Sequence, residues 1–257
     1  MKVTRANQKK QHNPIEKIKS SDPWYTDEQI VSSQGQGRRQ VIAERVSFIV
    51  RTLTEWSRGK SLPLNLLDAG CGDGVLLKNL VTLTGFKVYG IDYNPLRVDR
   101  ARKNAPQAIV RQSDLRSLDF KDSFFDVIVM SQVLEHIPED VLVLKCLARI
   151  LKENGILILG VPNEGCLLAQ LRNKYLERNI SKTTDHVYFY TERTVIGKIA
   201  EAGFAIDKVA RTGFFFPHQI IHTWLASRDW GYTLMQIMGK LIKSQVAGFH
   251  FVCRKVT

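Results

Sequence analysis

The stretch Leu66-Leu67-Asp68-Ala69-Gly70-Cys71-Gly72-Asp73-Gly74 predicts more about the fold than any other part of this chain. Its first half is an apolar run, which is typical of a buried strand. Three glycines follow, and a helical pattern begins near Val75. Glycines in such a turn let the backbone approach a ligand closely and aim the N–H groups of the next helix at it. The stretch therefore predicts a ligand-binding turn between a strand and a helix.

A second strand tip supports this interpretation, because Gly90-Ile91-Asp92 places an acid 18 residues after Gly74. An acid at that tip can accept hydrogen bonds from both hydroxyls of a ribose. Two ligands then compete, a dinucleotide and adenosyl-methionine. Dinucleotide turns prefer G-x-G-x-x-G, whereas this turn is G-x-G-x-G. Asp68 precedes it, where an acid would repel a pyrophosphate but attract an ammonium and a sulfonium.

Short apolar runs alternate with helical patterns along most of the chain. The predicted strands are Leu64–Ala69, Lys87–Asp92, Ala108–Gln112, Phe125–Ser131, Gly155–Val161, Phe204–Ala210 and Gly248–Val256. The predicted helices are Arg38–Arg58, Val75–Leu83, Pro95–Lys103, Glu139–Leu151 and Thr191–Ala202. This alternation predicts an α/β fold with a mainly parallel sheet and helices on both faces.

The segment Asp68–Gly74 resembles motif I of the class I S-adenosylmethionine-dependent methyltransferases, and the resemblance extends over most of residues 60–210. It implies a doubly wound, seven-stranded, Rossmann-like sheet that binds S-adenosyl-L-methionine and releases S-adenosyl-L-homocysteine. It also implies that Asp92 binds the ribose, that Asp114 accepts from the adenine amino group, and that the fourth strand ends beside the transferred methyl. A turn over Leu151–Gly155 would lead into the fifth strand. The implied cofactor-binding residues are Asp68, Ala69, Gly70, Cys71, Gly72, Gly74, Asp92, Tyr93, Ser113, Asp114, Leu115 and Ser131.

Transfer of the methyl group to an oxygen of a small molecule is the function that this resemblance favours. A hydroxyl acceptor must lose its proton, and the catalytic candidates are Glu135, His136 and His186. His186 follows the fifth strand, where members of the family place loops that face the substrate. Histidine titrates near neutrality and therefore suits a general base. His136 equally suits a packing role in its own turn.

A second resemblance keeps an alternative open. Gln132-Val133-Leu134-Glu135-His136, with His186 later, looks like the Glu-x-x-Glu-His plus distant His of metal-dependent RNA 3′-end methyltransferases. Gln132 stands where the first glutamate would be, and similar turns occur in small-molecule methyltransferases without metal, so no metal is expected. An RNA-directed (2′-O or 3′-end) enzyme remains the alternative, as does a non-catalytic partner protein that binds the cofactor.

The segments outside the core predict where specificity arises. We divide the chain into a basic leader and helical cap (1–58), a cofactor-binding core (59–213), an aromatic helical insertion (214–247) and a final strand (248–257). An apolar lid for a bulky or lipid-linked acceptor is predicted from Trp24, Tyr25, Phe214, Phe215, Phe216, Trp224, Trp230 and Tyr232. The insertion, with Lys240 and Lys243 at its end, also suits shallow contact with a membrane.

Composition excludes several classes of protein. The chain has 257 residues, a formal net charge of +12 and 44% hydrophobic residues, which is too apolar for a disordered protein. No apolar run approaches the roughly 18 residues of a membrane span. Four scattered cysteines without a C-x-x-C pair suggest a reduced, cytoplasmic protein. No RNA-binding motif accompanies the basic charge, so nucleic acid is the less favoured partner.

Overall fold

The computed structural model describes residues 36–177 and 186–256, so Trp24, Tyr25 and nearly all of the basic leader lie outside the described residues. The strands are β1 (Leu64–Ala69), β2 (Phe86–Asp92), β3 (Ile109–Gln112), β4 (Phe125–Ser131), β5 (Leu151–Pro162), β6 (Phe204–Thr212) and β7 (Gly248–Lys255). The helices are α1 (Gln36–Trp56), α2 (Leu77–Leu80), α3 (Pro95–Asn104), α4 (Asp140–Ile150), α5 (Leu167–Leu171), α6 (Glu192–Glu201), α7 (Gln219–Ala226) and α8 (Asp229–Leu241).

The strands form one sheet in the order β3-β2-β1-β4-β5-β7-β6. Strands β1 to β5 run parallel to one another, whereas β7 runs antiparallel between β5 and β6. The predicted mainly parallel α/β sheet of seven strands is therefore confirmed. The carboxyl ends of β1, β2, β4 and β5 lie at one edge, which is where open α/β sheets bind ligands.

Apolar side chains cover both faces of the sheet. On one face α1 packs Phe48, Ile49 and Leu53 against the central strands, and the opposite face carries α4 and α6. Phe249 and Phe251 of β7 belong to the second face, in the alternation that the sequence predicts. Burial on both faces explains why the strands are nearly continuous apolar runs.

The helix predicted over Val75–Leu83 was wrong in extent, because only Leu77–Leu80 is helical. The side-chain amide of Asn79 donates to the Val75 carbonyl, and the Thr82 hydroxyl donates to the Asn79 carbonyl. Such local side-chain bonds compete with the helix ladder, and short turns therefore replace its ends.

The turn predicted over Leu151–Gly155 is instead part of β5, which begins at Leu151 directly after α4. The pairs Phe125↔Leu151 and Val127↔Ile156 enclose one residue of β4 but four of β5. The extra residues form an irregularity in the pairing of β4 with β5. This irregularity stands where the turn was expected.

The insertion, predicted to be largely helical from Phe214, forms α-helices over Gln219–Ala226 and Asp229–Leu241 and a short 3-10 helix over Lys243–Gln245. Its helix α8 is fastened to α1, because Tyr232 and Gln236 both donate hydrogen bonds to the Glu44 carboxylate. Trp224 and Trp230, two residues of the predicted lid, are about half exposed. The lid itself stays a prediction. Sequence patterns also missed α5 and the π-helix at Arg172–Leu176 that follows it.

Among the described residues, no helix combines the length and apolar character needed to cross a bilayer.

Gly239 provides a stability test, because a Cβ built there would lie 2.0 Å from the Gly213 carbonyl oxygen. Gly239→Ala is expected to lower the free energy of unfolding by about 1–3 kcal/mol through overpacking. Gly197→Ala in α6 is the matched control, because a Cβ there meets nothing within 4 Å and alanine favours the helix. Urea unfolding measures both variants, and equal effects would contradict the described contact.

Candidate active site

The glycine turn after β1 is shaped by backbone conformations that favour glycine. Gly70, Gly72 and Gly74 have φ angles of 85°, 53° and 83°. A Cβ at Gly70 would lie 2.5 Å from Val133 Cγ2, so a side chain there would collide with the segment after β4. The N–H groups of Gly70 and Cys71 both donate to the Ile91 carbonyl, which ties the turn to β2. A tight glycine turn thus follows β1, with Ala69 and Cys71 buried beside it, and its role in binding the cofactor stays a prediction.

Asp92 joins two loops through its carboxylate. One oxygen accepts from the N–H of Gly72 and the other from the N–H of Asn94, each at 2.9 Å. Asn94 in turn caps α3 by accepting from the N–H groups of Leu96 and Arg97. Burial raises the pKa of Asp92 even though these hydrogen bonds act in the opposite direction. The neighbouring Tyr93 is only partly buried at the same tip.

Asp68 lies under the glycine turn and is almost fully buried. Desolvation raises its pKa to about 7, and the Asp92 charge adds to the rise, while Arg45 of α1 opposes it. Its Oδ2 atom has no hydrogen-bond partner among the described residues. A buried carboxylate in this condition favours a cationic ligand, because such a ligand would restore its lost solvation.

The segment after β3 places Ser113, Asp114 and Leu115 at the same edge. The Ser113 N–H donates to the Asp92 carbonyl, and Leu115 is buried. Both oxygens of Asp114 accept from Arg116, and this arrangement lowers the pKa of Asp114. The adenine contact implied by the resemblance would therefore require Asp114 to share its carboxylate between Arg116 and the amino group.

Near the end of β4 lie buried polar groups that have no hydrogen-bond partner among the described residues. Ser131 is paired with Gly160 of β5, which is paired with His250 of β7. A Cβ at Gly160 would lie 2.9 Å from Ser131 Oγ and 3.1 Å from His250 Cδ2. Ser131 Oγ and both ring nitrogens of His250 have no hydrogen-bond partner in the described residues. Burial, with the nearby charge of Arg45, lowers the pKa of His250 to about 4 and keeps the ring neutral.

The three catalytic candidates lie close to one another near the end of β4. The His136 and His186 rings are 4.6 Å apart, and His136 Nε2 is 4.0 Å from Glu135 Oε1. Glu135 is buried, which raises its pKa, while the two histidines oppose the rise. Its carbonyl accepts from the N–H groups of Val187 and Tyr188 and so fastens the His186 loop to the tip of β4.

Glu164, which follows β5, completes the group. Its Oε2 atom lies 2.5 Å from His186 Nδ1. This contact orients the imidazole. Glu164 also lines an open cleft of about 530 Å³ together with Gly165, Lys174 and Phe189. Glu164 therefore lies at the border of a space that a small molecule could enter.

Glu135, His136 and His186 could also hold a metal ion. Each offers one ligand atom, and these atoms lie within 4.8 Å of one another. Carboxylate and imidazole groups bind divalent transition metals well. The absence of a metal therefore stays a prediction for this cluster.

Most of the chain is similar to a known protein family. Residues 36–209, more than half of the chain, match a family described as a methyltransferase domain. The chain belongs to this family. The match runs from α1 into β6, so it includes every strand tip described above and excludes residues 214–247.

Two relatives illustrate the similarity. A Mycobacterium tuberculosis protein named "Probable S-adenosylmethionine-dependent methyltransferase" is 32% identical over 99 residues, which cover 38% of this chain and 36% of the relative. The "Ubiquinone biosynthesis O-methyltransferase" of Cereibacter sphaeroides is 28% identical over 200 residues, covering 72% of this chain and 79% of that protein. The methyltransferase thus spans about a third of the first relative and about four fifths of the second.

A solved structure supports the fold. The S-adenosylmethionine-dependent methyltransferase of Archaeoglobus fulgidus superposes with a TM-score of 0.59 at 18% identity, covering 88% of this chain and 98% of that one. S-adenosylmethionine is the cofactor of the family. The site fits it, because the buried carboxylate of Asp68 has an oxygen without a hydrogen-bond partner among the described residues, and a cationic ligand would interact with it favourably.

Three residues of the site escaped the sequence analysis: Arg45, Glu164 and His250. Glu164 carries a usable signal, because it is an acid directly after a predicted strand of the sheet. Arg45 and His250 carry none, since α1 and the antiparallel β7 reach the site only through tertiary packing.

Loss of the Asp92 carboxylate tests the cofactor pocket. Asp92→Asn is expected to weaken S-adenosylhomocysteine binding at least tenfold, because an amide cannot accept from both backbone N–H groups and the ribose. Titration calorimetry measures the affinity, with the exposed Asp99→Asn of α3 as the matched control. Unchanged affinity in Asp92→Asn would contradict this assignment.

The raised pKa of Asp68 predicts a pH-dependent affinity. Since that pKa is about 7, Asp68 becomes protonated as the pH falls and no longer attracts the cationic ligand. Binding of S-adenosylmethionine is expected to weaken roughly tenfold or more between pH 7.5 and 5.5. In Asp68→Asn the affinity should be low and nearly constant over this range, which separates the effect from titration of the ligand. A wild-type affinity that does not change would contradict the prediction.

Proposed function

We propose that this methyltransferase transfers the methyl group of S-adenosylmethionine to an oxygen of a small-molecule acceptor. The observation that carries the proposal is the Glu164–His186 contact of 2.5 Å, next to the buried Glu135 and the tip of β4. A carboxylate that orients a histidine is a common arrangement for a general base. The relative from Cereibacter sphaeroides is itself named as an O-methyltransferase, which supports an oxygen acceptor.

The acceptor that suits this site is a phenolic hydroxyl on an apolar or lipid-linked molecule. Support comes from the same relative, whose name places it in ubiquinone biosynthesis. It also comes from the cleft bordered by Glu164 and Phe189, which offers both a polar and an aromatic wall. A sugar or a secondary metabolite with a comparable hydroxyl belongs to the same class of acceptor.

The roles of the residues follow from their contacts. Glu164 accepts a hydrogen bond from the Nδ1–H of His186 and so fixes the ring, and Nε2 would take the hydroxyl proton of the acceptor. Glu135 lies beside His136 and His186, and its negative charge would stabilise the imidazolium that results. When bound, the cofactor supplies an electrophilic methyl group on a positively charged sulfur. The protein contributes alignment and removal of the proton.

A second candidate rests on the cluster of Glu135, His136 and His186. If a divalent cation occupies it, the histidines act as ligands rather than as a base, as the resemblance to metal-dependent RNA 3′-end enzymes implies. The measured distances allow this arrangement, whereas Gln132 removes one of the expected anionic ligands. RNA is therefore the second choice of acceptor, and a non-catalytic role in binding the cofactor is the third.

We also propose a reducing, cytoplasmic location. All four cysteines are free thiols, and three of them are buried. Burial raises the pKa of the thiols of Cys71, Cys166 and Cys253, which makes them less reactive.

Variants of the Glu164–His186 pair test the proposed mechanism. His186→Ala is expected to lower kcat about 100-fold or more, and Glu164→Gln by a smaller factor, since removal of a general base costs 10²–10⁴-fold. Both should keep the affinity for S-adenosylhomocysteine. Initial rates are measured on a panel of catechols and prenylated hydroquinones.

His218→Ala is the matched control, because His218 also lies beside a glutamate, at 3.7 Å from Glu177, but in a different part of the fold. Wild-type turnover in His186→Ala would overturn the role of the base. If EDTA abolishes turnover and Mn²⁺ or Zn²⁺ restores it, the histidines are metal ligands and the second candidate replaces the first.

A further inference from the structure

Helix α8 has a broad apolar face that is buried along one edge and exposed along the other. On its inner side Gly231, Met235 and Gly239 are buried against the rest of the protein. The contact is close, because a Cβ at Gly231 would lie 2.4 Å from the Leu225 carbonyl oxygen. The apolar face of a surface helix ordinarily packs on the core. On α8 this face extends beyond the buried edge, so part of it has no cover among the described residues.

The outer side carries a continuous row of large apolar residues, which we call the exposed stripe: Trp230, Leu234, Ile237 and Leu241. Their side chains are 57%, 42%, 49% and 78% exposed. At 100° per residue these four positions fall within about 60° of one another around the helix axis. One narrow line of four bulky apolar side chains therefore faces away from the core.

The neighbouring helix α7 widens this surface. The Trp224 ring makes an edge contact with the Trp230 ring at a centroid distance of 5.6 Å. Ile220 and Ile221 are also exposed, Ile220 to 74%. Exposure this high indicates side chains that protrude rather than line a groove. A contiguous exposed apolar patch of this kind marks a site of interaction with a protein or a membrane.

Positive charge surrounds the exposed stripe. Arg228 lies over the Trp224 ring at 4.1 Å, and Lys240 and Lys243 lie at the end of α8. Asp229 is the one acid in residues 214–247, and its carboxylate already accepts from Gln40 of α1. The charge around the stripe thus complements an anionic partner.

We propose that the exposed stripe docks the methyltransferase on the surface of an anionic phospholipid bilayer. The aliphatic side chains and both tryptophans would enter the boundary between headgroups and acyl chains, while Arg228, Lys240 and Lys243 contact the headgroup phosphates. Protruding apolar residues beside cations suit a fluid surface that closes around them. The proposal does not depend on the acceptor, because it rests on residues outside the matched domain.

Vesicle flotation of the full-length protein tests the docking. The protein is expected to float with vesicles of phosphatidylcholine and phosphatidylglycerol in equal parts, and at least tenfold less with phosphatidylcholine alone. High salt should weaken the binding, because it screens the attraction. Tryptophan emission should shift to shorter wavelength on binding, as Trp224 and Trp230 leave water.

The double variant Leu234→Glu/Ile237→Glu is expected to lower vesicle binding at least tenfold. Leu142→Glu/Ile196→Glu on α4 and α6 is the matched control, since these residues are similarly exposed but far from the insertion in the chain. Both variants should retain S-adenosylhomocysteine binding and methyl transfer to a water-soluble acceptor, which separates failure of docking from failure of the enzyme.

Three outcomes would overturn the proposal. In the first, the wild type fails to float with anionic vesicles, and in the second, the stripe variant floats as well as the wild type. In the third outcome, light scattering finds a wild-type dimer that Leu234→Glu/Ile237→Glu converts to a monomer, which would assign the stripe to contact between copies of the chain.

Discussion

The two hydrogen bonds that the Asp92 carboxylate accepts are the constraint on which the arrangement of the proposed cofactor site depends. One oxygen holds the glycine turn through Gly72 and the other holds the start of α3 through Asn94. Because both bonds are buried, water does not replace either partner easily. The same acid that is expected to bind the ribose thus sets the distance between the two loops that surround it.

The central strands β1, β2, β4 and β5 were predictable because each is a short segment rich in apolar residues. The failures have local or tertiary causes. The side chains of Asn79 and Thr82 bond to the backbone locally and shorten α2. Lys152–Gly155 are accommodated by a pairing irregularity within β5. The periodicity of hydrophobic residues reveals neither effect. The prediction of catalytic candidates had a similar limit: Glu164 and His186 are 22 residues apart and meet only after β5 and the His186 loop pack together.

Buried polar atoms without partners are concentrated at the strand tips. Asp68, Ser131, Glu135 and His250 each have at least one such atom within the described part of the chain. Burial without a hydrogen bond costs free energy, so a fold retains such groups where they meet a ligand. The sequence shows the acids of this set, but the row Ser131–Gly160–His250 exists only because β7 enters the sheet antiparallel between β5 and β6.

Glu44 and Arg45 are consecutive residues of α1 that face different partners. Glu44 is bound by two side chains of the insertion, and Arg45 is the cation that acts on Asp68. A single turn of helix therefore contacts the insertion through one residue and acts on a buried carboxylate of the sheet through the next. Exchanging residues 214–247 would remove the two donors to Glu44, so a change in the insertion is expected to reach the surroundings of Asp68 through α1.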